Sequence, residues 1–238
     1  GSSGALDIFT GNSHDGSSGS IFVKAGTGLQ GNGGTVLIRG GNSDTGTGGM
    51  VTISSGSGLS SGNILVTSRG ALSDSGKISI ESGKSTAVSG SIKISSGSSE
   101  GHSGDIDVST GESSDGNGGD IHVSAGKSEL TGGRVSVYSG GSDNMNSGSI
   151  SISTGKSGTT SGKIEISSGY GVTGSGSLNV YSGDALNGLA GEISITGGST
   201  FDGPAGTILL KSGDSLSGTG GSLDVRSGKS LEGNSGYI

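Results

Sequence analysis

Pairs of apolar residues separated by a single residue recur along the whole chain at a spacing of 13 to 15 residues. We number each repeat from the first apolar residue, position 0; an aliphatic residue also occupies position +2, and a small residue occupies position +4. This alternation with a period of two, rich in β-branched residues, predicts a short strand with one buried face in every repeat. Position 0 is occupied by Leu6, Ile21, Val36, Val51, Ile64, Ile78, Ile92, Ile106, Ile121, Val135, Ile150, Ile164, Leu178, Ile193, Ile208, Leu223 and Ile238.

Glycine marks both ends of the predicted strand. An opening glycine stands at position −2 before every position 0, as at Gly4, Gly19 and Gly34. A closing glycine usually follows at position +5, and the exception is Arg69, which is followed by Gly70. Such strict placement predicts a backbone site with positive φ, or a close approach that leaves no room for a Cβ atom.

Near-identical strands at a regular spacing favour an all-β β-solenoid, or β-helix, with parallel stacked strands. We therefore predict 14- to 15-residue repeats, about 16 rungs at the usual strand spacing, and almost no helix. One repeat per turn is favoured over two, and a sandwich of hairpins is the alternative fold. The predicted domain is single, covers residues 1–238 and is a segment of a longer array. The closing glycine of one repeat and the opening glycine of the next are joined by a Gly/Ser-rich stretch, which we call the return segment. Differences in repeat length are expected to fall in it.

Composition alone would suggest a flexible linker, because the chain has 56 glycines and only 26% hydrophobic residues. The fixed positions of those residues argue against a linker. The formal net charge is −7, and the scattered Lys and Arg residues form no basic stripe, so we expect no nucleic-acid partner. No apolar run has the length of a membrane span. The absence of cysteine excludes disulfides.

Residues with catalytic or metal-binding chemistry follow no pattern. His14, His102 and His122 are scattered, and the Asp of Gly118-Gly119-Asp120 does not recur as a calcium-binding β-roll requires. Asp105 lies two residues from a second Asp, without the long loops that carry catalytic carboxylates in β-helical enzymes. We expect no catalytic, cofactor-binding or metal-binding residues, no cofactor and no enzymatic activity.

Three apolar residues interrupt the polar positions at +1. Phe22, Leu37 and Leu65 belong to the second, third and fifth repeats, with Thr52 between them. In a stacked solenoid the first two would lie about 5 Å apart and form an apolar ridge. Exposed apolar ridges are contact sites or aggregation liabilities, so these three residues are the predicted lateral protein contact. The alternative is that return segments of the same chain cover them.

The segments Ser149–Gly155 (SISISTG) and Lys163–Gly169 (KIEISSG) resemble the Gly/Ser-rich solenoid repeats of algal and protist cell-surface and extracellular fibre proteins. This resemblance implies an extracellular or cell-surface structural role. We expect a structural subunit of a filament or surface layer, a homo-oligomer that assembles by end-to-end stacking and lateral contacts. An adhesion or carbohydrate-binding module and an ice-binding solenoid are the alternatives; a regular Thr or aromatic ladder would favour them, and neither is present.

If the protein is secreted, we predict O-linked glycans on its hydroxyl-rich surface. The sequence contains no Asn-x-Ser/Thr acceptor despite its many Asn and Ser residues, so modification would use hydroxyl groups. Intact-mass spectrometry of native material should show masses above that of the unmodified polypeptide. A native mass equal to the polypeptide mass contradicts the prediction.

Overall fold

The computed structural model describes residues 3–238, and this part of the chain contains neither helix nor strand. The predicted β-solenoid of parallel stacked rungs is therefore wrong, whereas the expected lack of helix agrees with the structure. The chain divides into two halves, Gly1–Ile121 and His122–Ile238. Each half is a succession of extended segments joined by sharp bends.

The bends reproduce the sequence period. Eight bends occur in the described part of the N-terminal half and eight in the C-terminal half, one in each return segment. Position 0 and position +2 lie outside them in every repeat. The bends cover residues 14–16, 29–31, 44–46, 58–60, 72–73, 86–87, 100–101 and 114–116 in the first half, and 129–130, 143–145, 158–159, 172–173, 186–188, 201–203, 216–218 and 231–233 in the second.

The bend absorbs the difference in repeat length. Repeats of 15 residues have three-residue bends and repeats of 14 residues have two-residue bends; the single 13-residue repeat, with its bend at 58–60, departs from this rule. A serine two residues after the closing glycine organises ten of these bends, because its Oγ accepts a hydrogen bond from a main-chain N–H. The donor lies three residues ahead in 15-residue repeats, as in Gly16 N to Ser13 Oγ (3.1 Å), and two residues ahead in 14-residue repeats, as in Ala87 N to Ser85 Oγ (3.1 Å).

Eight return segments within residues 3–238 close at a neck where two glycines meet. The opening glycine of one repeat donates its N–H to the carbonyl of the closing glycine before it, for example Gly49 N to Gly41 O at 2.8 Å. In two repeats a threonine hydroxyl bonds to the opening glycine instead, as in Thr10 Oγ1 to Gly19 O at 3.0 Å. The neck bonds are Gly34–Gly26, Gly49–Gly41 and Gly62–Gly56 in the first half, and Gly133–Gly126, Gly148–Gly140, Gly206–Gly198, Gly221–Gly213 and Gly236–Gly228 in the second.

The neck explains why the predicted parallel ladder is absent. A solenoid with one repeat per turn must bring the start of each strand beside the start of the previous strand. Here Gly34, which starts one extended segment, bonds to Gly26, which ends the segment before it. The start of that earlier segment, Gly19, is seven residues back from Gly26, roughly 23 Å along an extended chain. The neck therefore places the start of one extended segment beside the end of the previous one, a whole segment away from the position that a parallel ladder requires.

The opening glycine does not adopt an unusual backbone conformation, and in part of the series a close approach leaves little space for a Cβ atom. Within residues 3–238, positive φ occurs at Gly188 (96°) and Gly203 (111°), and neither is an opening glycine, so the expectation of positive φ at position −2 is wrong. The alternative, close approach, fits part of the series: a Cβ at Gly34 would lie 3.1 Å from Ala25 Cβ, and one at Gly191 would lie 3.1 Å from Ser182 Cβ. At Gly76 the contact would be an ordinary 3.7 Å, and at Gly104 a Cβ would have no neighbour within 4 Å. Where the approach is close, the small residue at position +4 is thus the neighbour against which the opening glycine packs.

Side chains at positions −1, +1 and +3 lie on one side of each extended segment. Lys163 pairs with Glu165, and the Arg226 guanidinium pairs with the Asp224 carboxylate, its Nε donating to Oδ1 at 2.8 Å. Residues two apart share a face only when the backbone is extended, so these pairs support the period-two interpretation at the level of the single segment. Both pairs are exposed to solvent, where such interactions contribute little stability.

A methyl group at Gly40 should open the neck of its repeat. Glycine occupies position +4 here, and a Cβ on it would overlap the main-chain carbonyl oxygen of Gly49. The neck bond from Gly49 N to Gly41 O should then be lost, and a typical hydrogen bond contributes about 1 kcal/mol. We expect amide hydrogen exchange at Gly49, measured by NMR, to become about five-fold faster in Gly40→Ala.

Gly41→Ala is the matched control, because a Cβ at Gly41 has no neighbour within 4 Å. The pair Gly197→Ala and Gly198→Ala repeats the comparison in the C-terminal half, with exchange read at Gly206. Equal exchange rates in Gly40→Ala and Gly41→Ala would show that the close approach does not hold the neck.

Candidate self-association surfaces

The apolar residues at position 0 are the least exposed of the large hydrophobic side chains, yet half of each remains in contact with solvent. From Ile21 to Leu223 their relative exposure lies between 49% and 61%. In most repeats the aliphatic residue at position +2 is more exposed than position 0, as at Val180 beside Leu178; the order is reversed at Leu6 with Ile8 and at Leu223 with Val225. Among residues 3–238 no side chain of any kind is buried, so the described chain has no hydrophobic core.

The total surface area expresses the same fact. The chain exposes 24394 Å². A protein of 22.6 kDa folded as one or two globular domains would expose roughly 10,000 Å², and the unfolded chain roughly 33,000 Å². The repeats are therefore locally ordered at their necks and bends, while most of the apolar surface that folding normally removes from water stays accessible.

The three residues of the predicted lateral contact lie on the surface. Phe22 is 91% exposed, Leu37 72% and Leu65 83%, so the return segments of the described chain do not cover them. The spacing of about 5 Å expected for Phe22 and Leu37 assumed a parallel ladder. Because the structure has no such ladder, it provides no ridge that would unite the three side chains, and they are separate exposed apolar residues in the second, third and fifth repeats.

A second set of apolar side chains, at the bends, was not identified from the sequence pattern of the strands. We call these the tip residues, since each lies within or next to a bend. Bulky tip residues accompany four of eight bends in the first half and seven of eight in the second. They are Leu29, Leu59, Leu72 and Val88, followed by Leu130, Met145, Val172, Leu186 and Leu189 at one bend, Phe201, Leu216 and Leu231.

The most exposed apolar side chains of residues 3–238 are tip residues, and Leu72 at 111% is the highest. Leu186, Phe201, Leu216 and Leu231 range from 101% to 108%, twice the exposure of position 0. The sequence does hold a signal for the four of them: a bulky apolar residue that follows Ser, Thr or Ala and precedes glycine by two, as in Thr200-Phe201-Asp202-Gly203. This signal repeats at a constant spacing of 15 residues.

Groups that could carry out chemistry are not gathered in the described structure. Residues 3–238 contain no pocket and no cluster of three His, Asp or Glu side chains suited to a metal ion. His14, His102 and Asp105 are exposed. The same part of the chain includes no helix long and apolar enough to cross a bilayer. The features available for recognition are thus the exposed apolar side chains, the hydroxyl groups and the dispersed charges.

No protein-family model, curated protein or solved structure matches this chain. Its function must therefore be argued from its own residues. The most prominent of these, in number and in regularity, are the exposed apolar side chains at position 0, at position +2 and at the bends.

Replacement of Phe22 and Leu37 by serine tests the predicted lateral contact. If these side chains meet another copy of the chain, the double variant should self-associate more weakly, because each buried aromatic or aliphatic side chain contributes roughly 1.5–3 kcal/mol. The far-ultraviolet circular dichroism spectrum should not change, since both side chains are exposed. Sedimentation velocity measures the association, and unchanged association in the double variant contradicts the contact.

Proposed function

We propose that this protein is a structural subunit of an extracellular filament or cell-surface layer, assembled from copies of itself by end-to-end and lateral contacts. The observation that carries the proposal is the complete lack of buried apolar side chains in residues 3–238, combined with their regular placement. Contiguous exposed apolar surface in a soluble chain marks a contact site or an aggregation liability. Regular placement favours a contact site.

The repeat supports self-association over recognition of an unrelated partner. Each repeat presents the same two apolar residues, at position 0 and position +2, on one side of an extended segment. A second copy presents an identical series, so the same few contacts can be repeated at many points along two chains. Repeated weak contacts sum to a stable assembly even when each contributes little, which is the principle of multivalent binding.

The polar side of the extended segments suits a surface that remains in water. Positions −1, +1 and +3 carry mostly Ser, Thr and charged residues, some in exposed pairs such as Lys163–Glu165 and Arg226–Asp224. Hydroxyl groups and dispersed charges of both signs keep the outer face of an assembly soluble. The two sides of the segment therefore differ in the way a subunit needs, apolar toward other copies and polar toward water.

The net charge of −7 opposes the contact of two copies and makes assembly depend on salt. Repulsion between exposed charges is screened beyond about 10 Å at 0.1 M salt, whereas apolar contacts are not weakened by salt. Apolar contacts also weaken on cooling, because their driving force near room temperature is entropic. Assembly through the apolar side chains at positions 0 and +2 should accordingly strengthen with salt and with warming.

Purified protein should associate reversibly as its concentration rises. In sedimentation velocity we expect the mean mass to increase with concentration, further at roughly 0.5 M salt than at 0.05 M, and less in the cold than at room temperature. Negative-stain electron microscopy of the concentrated sample should show filaments or sheets. Immunogold labelling of source cells should place the protein outside the plasma membrane.

A matched variant separates apolar association from other causes. Ile150→Ser with Ile152→Ser removes one apolar pair, while Ser151→Thr leaves that pair intact and keeps a hydroxyl between the two positions. The first should weaken association and the second should not. A protein that stays monomeric at all concentrations and salts, and forms neither filaments nor sheets, would overturn the proposed function.

A further inference from the structure

We infer that Asn187 is a site of spontaneous covalent modification, where the side-chain amide is converted to a carboxylate through a cyclic imide formed with the main chain of Gly188. The inference goes beyond the proposed function and holds whether or not the protein assembles. It rests on the sequence Asn187-Gly188 in a bend, on the exposure of Asn187, and on the main-chain nitrogen of Gly188, which takes part in no hydrogen bond within residues 3–238.

The reaction joins a side chain to the main chain that follows it. The nitrogen of Gly188 attacks Cγ of Asn187 and loses its proton, and ammonia leaves as the ring closes. Water then opens the imide at either carbonyl and gives aspartate or isoaspartate, so that one amide and one water become one carboxylic acid and one ammonia. Glycine favours the attack because it has no Cβ to obstruct the ring, and asparagine is among the thermolabile residues.

The serine that occupies the equivalent nitrogen in other bends is missing here. At the bend of residues 216–218, Gly218 N donates to Ser215 Oγ at 2.8 Å. Ala185 precedes Gly188 by three residues, as Ser215 precedes Gly218, and a methyl group accepts no hydrogen bond. The nitrogen of Gly188 is therefore free to act as the nucleophile, whereas the nitrogen of Gly218 must first give up its acceptor.

The backbone at this bend differs as well. Gly188 has a φ of 96°, and within residues 3–238 the other positive φ belongs to Gly203, which follows Thr200 by three residues where the later bends have serine. The Thr200 hydroxyl donates to a carbonyl at the far side of its bend instead, at 3.0 Å. A Cβ at Gly188 would meet nothing within 4 Å, so the space beside the reacting nitrogen is open.

Two other Asn-Gly pairs occur in the sequence and are held more firmly. They are Asn32-Gly33 and Asn117-Gly118, and both are exposed. The residue after each pair, Gly34 or Gly119, takes part in a hydrogen bond that closes its return segment. The described return segment 184–190 has neither a neck bond nor a serine bond. Ring closure requires rotation about the main chain, so the pair in this segment should react first.

The product differs from the parent in charge and in main-chain length. Each conversion adds one negative charge to a chain whose formal net charge is already −7, and isoaspartate inserts an extra methylene into the main chain. For copies that assemble as proposed, the added charge strengthens mutual repulsion at low salt. Because no step returns the ammonia, modified molecules accumulate with time.

Peptide mapping by liquid chromatography and mass spectrometry measures the conversion at each Asn-Gly pair. The purified protein is incubated near neutral pH, at a concentration where sedimentation velocity shows the monomer. We expect Asn187 to be converted about five-fold faster than Asn32 and Asn117, the factor that corresponds to one ordinary hydrogen bond. In concentrated urea, which solvates peptide groups, the three rates should converge. Equal rates at the three sites in native buffer, or no conversion at Asn187, overturn the inference.

Ala185→Ser tests the cause. The variant places a hydroxyl three residues before Gly188, and a hydrogen bond to the nitrogen should slow conversion at Asn187 about five-fold. Ala190→Ser is the matched control, because it adds the same group beyond the bend and should leave the rate unchanged. Asn187→Gln should abolish the acidic species that ion-exchange chromatography resolves first. If Ala185→Ser and Ala190→Ser convert at the same rate, the free nitrogen does not control the site and the inference fails.

Discussion

The hydrogen bond between two glycines at a neck, present in eight repeats of the described chain, determines how those repeats are organised. It joins the end of one extended segment to the start of the next, across five to seven intervening residues, as between Gly62 and Gly56 or between Gly34 and Gly26. The opening glycine permits this because a Cβ would approach the small residue at position +4. The closed return segment keeps each repeat separate, and the extended segments are left without partners of their own.

Exposure of the apolar residues follows from the same constraint. A ladder or a layered fold would cover position 0 and position +2 with neighbouring segments, but the neck positions each segment by its end and not along its length. The aliphatic side chains at those positions consequently remain half exposed or more throughout residues 21–223. Surface of this kind is stabilised when other molecules cover it, and copies of the same chain carry the matching series.

The sequence predicts which segments of each repeat vary in length, but it does not predict which groups the main-chain N–H and C=O bond to. The Gly/Ser-rich return correctly contains the differences in repeat length, whereas the strand with one buried face that alternation predicts, as at Ile150 and Ile152, is absent from the described chain. The same alternation is compatible with a parallel ladder or with isolated segments, because it reports which face a side chain occupies and not what the main-chain N–H bonds to. The bond from Gly49 to Gly41 could not be read from the pattern.

For the candidate surfaces the outcome is similar. Phe22, Leu37 and Leu65 stood out as apolar residues at polar positions, and the structure leaves them exposed but gives no ladder to unite them. Apolar residues followed by glycine are visible in single return segments, as in Leu29-Gln30-Gly31, but return segments vary in composition, so the sequence provided no reason to treat the tip residues as a contact surface. Comparison of four equal repeats, at Leu186, Phe201, Leu216 and Leu231, reveals the regularity. Sequence patterns of this kind emerge only when repeats of the same length are aligned with one another.

The short reach of the stabilising bonds has a consequence for how such a gene can change. Every neck and serine bond joins residues no more than nine positions apart, so a repeat carries within itself, or at its border with the next, all that its bend and neck require. Duplication or loss of a whole repeat would leave its neighbours intact, whereas the loss of a helix from a globular domain would expose a core. Copy number can thus drift or be selected freely, and the length of the molecule becomes a trait that unequal recombination adjusts in steps of one repeat.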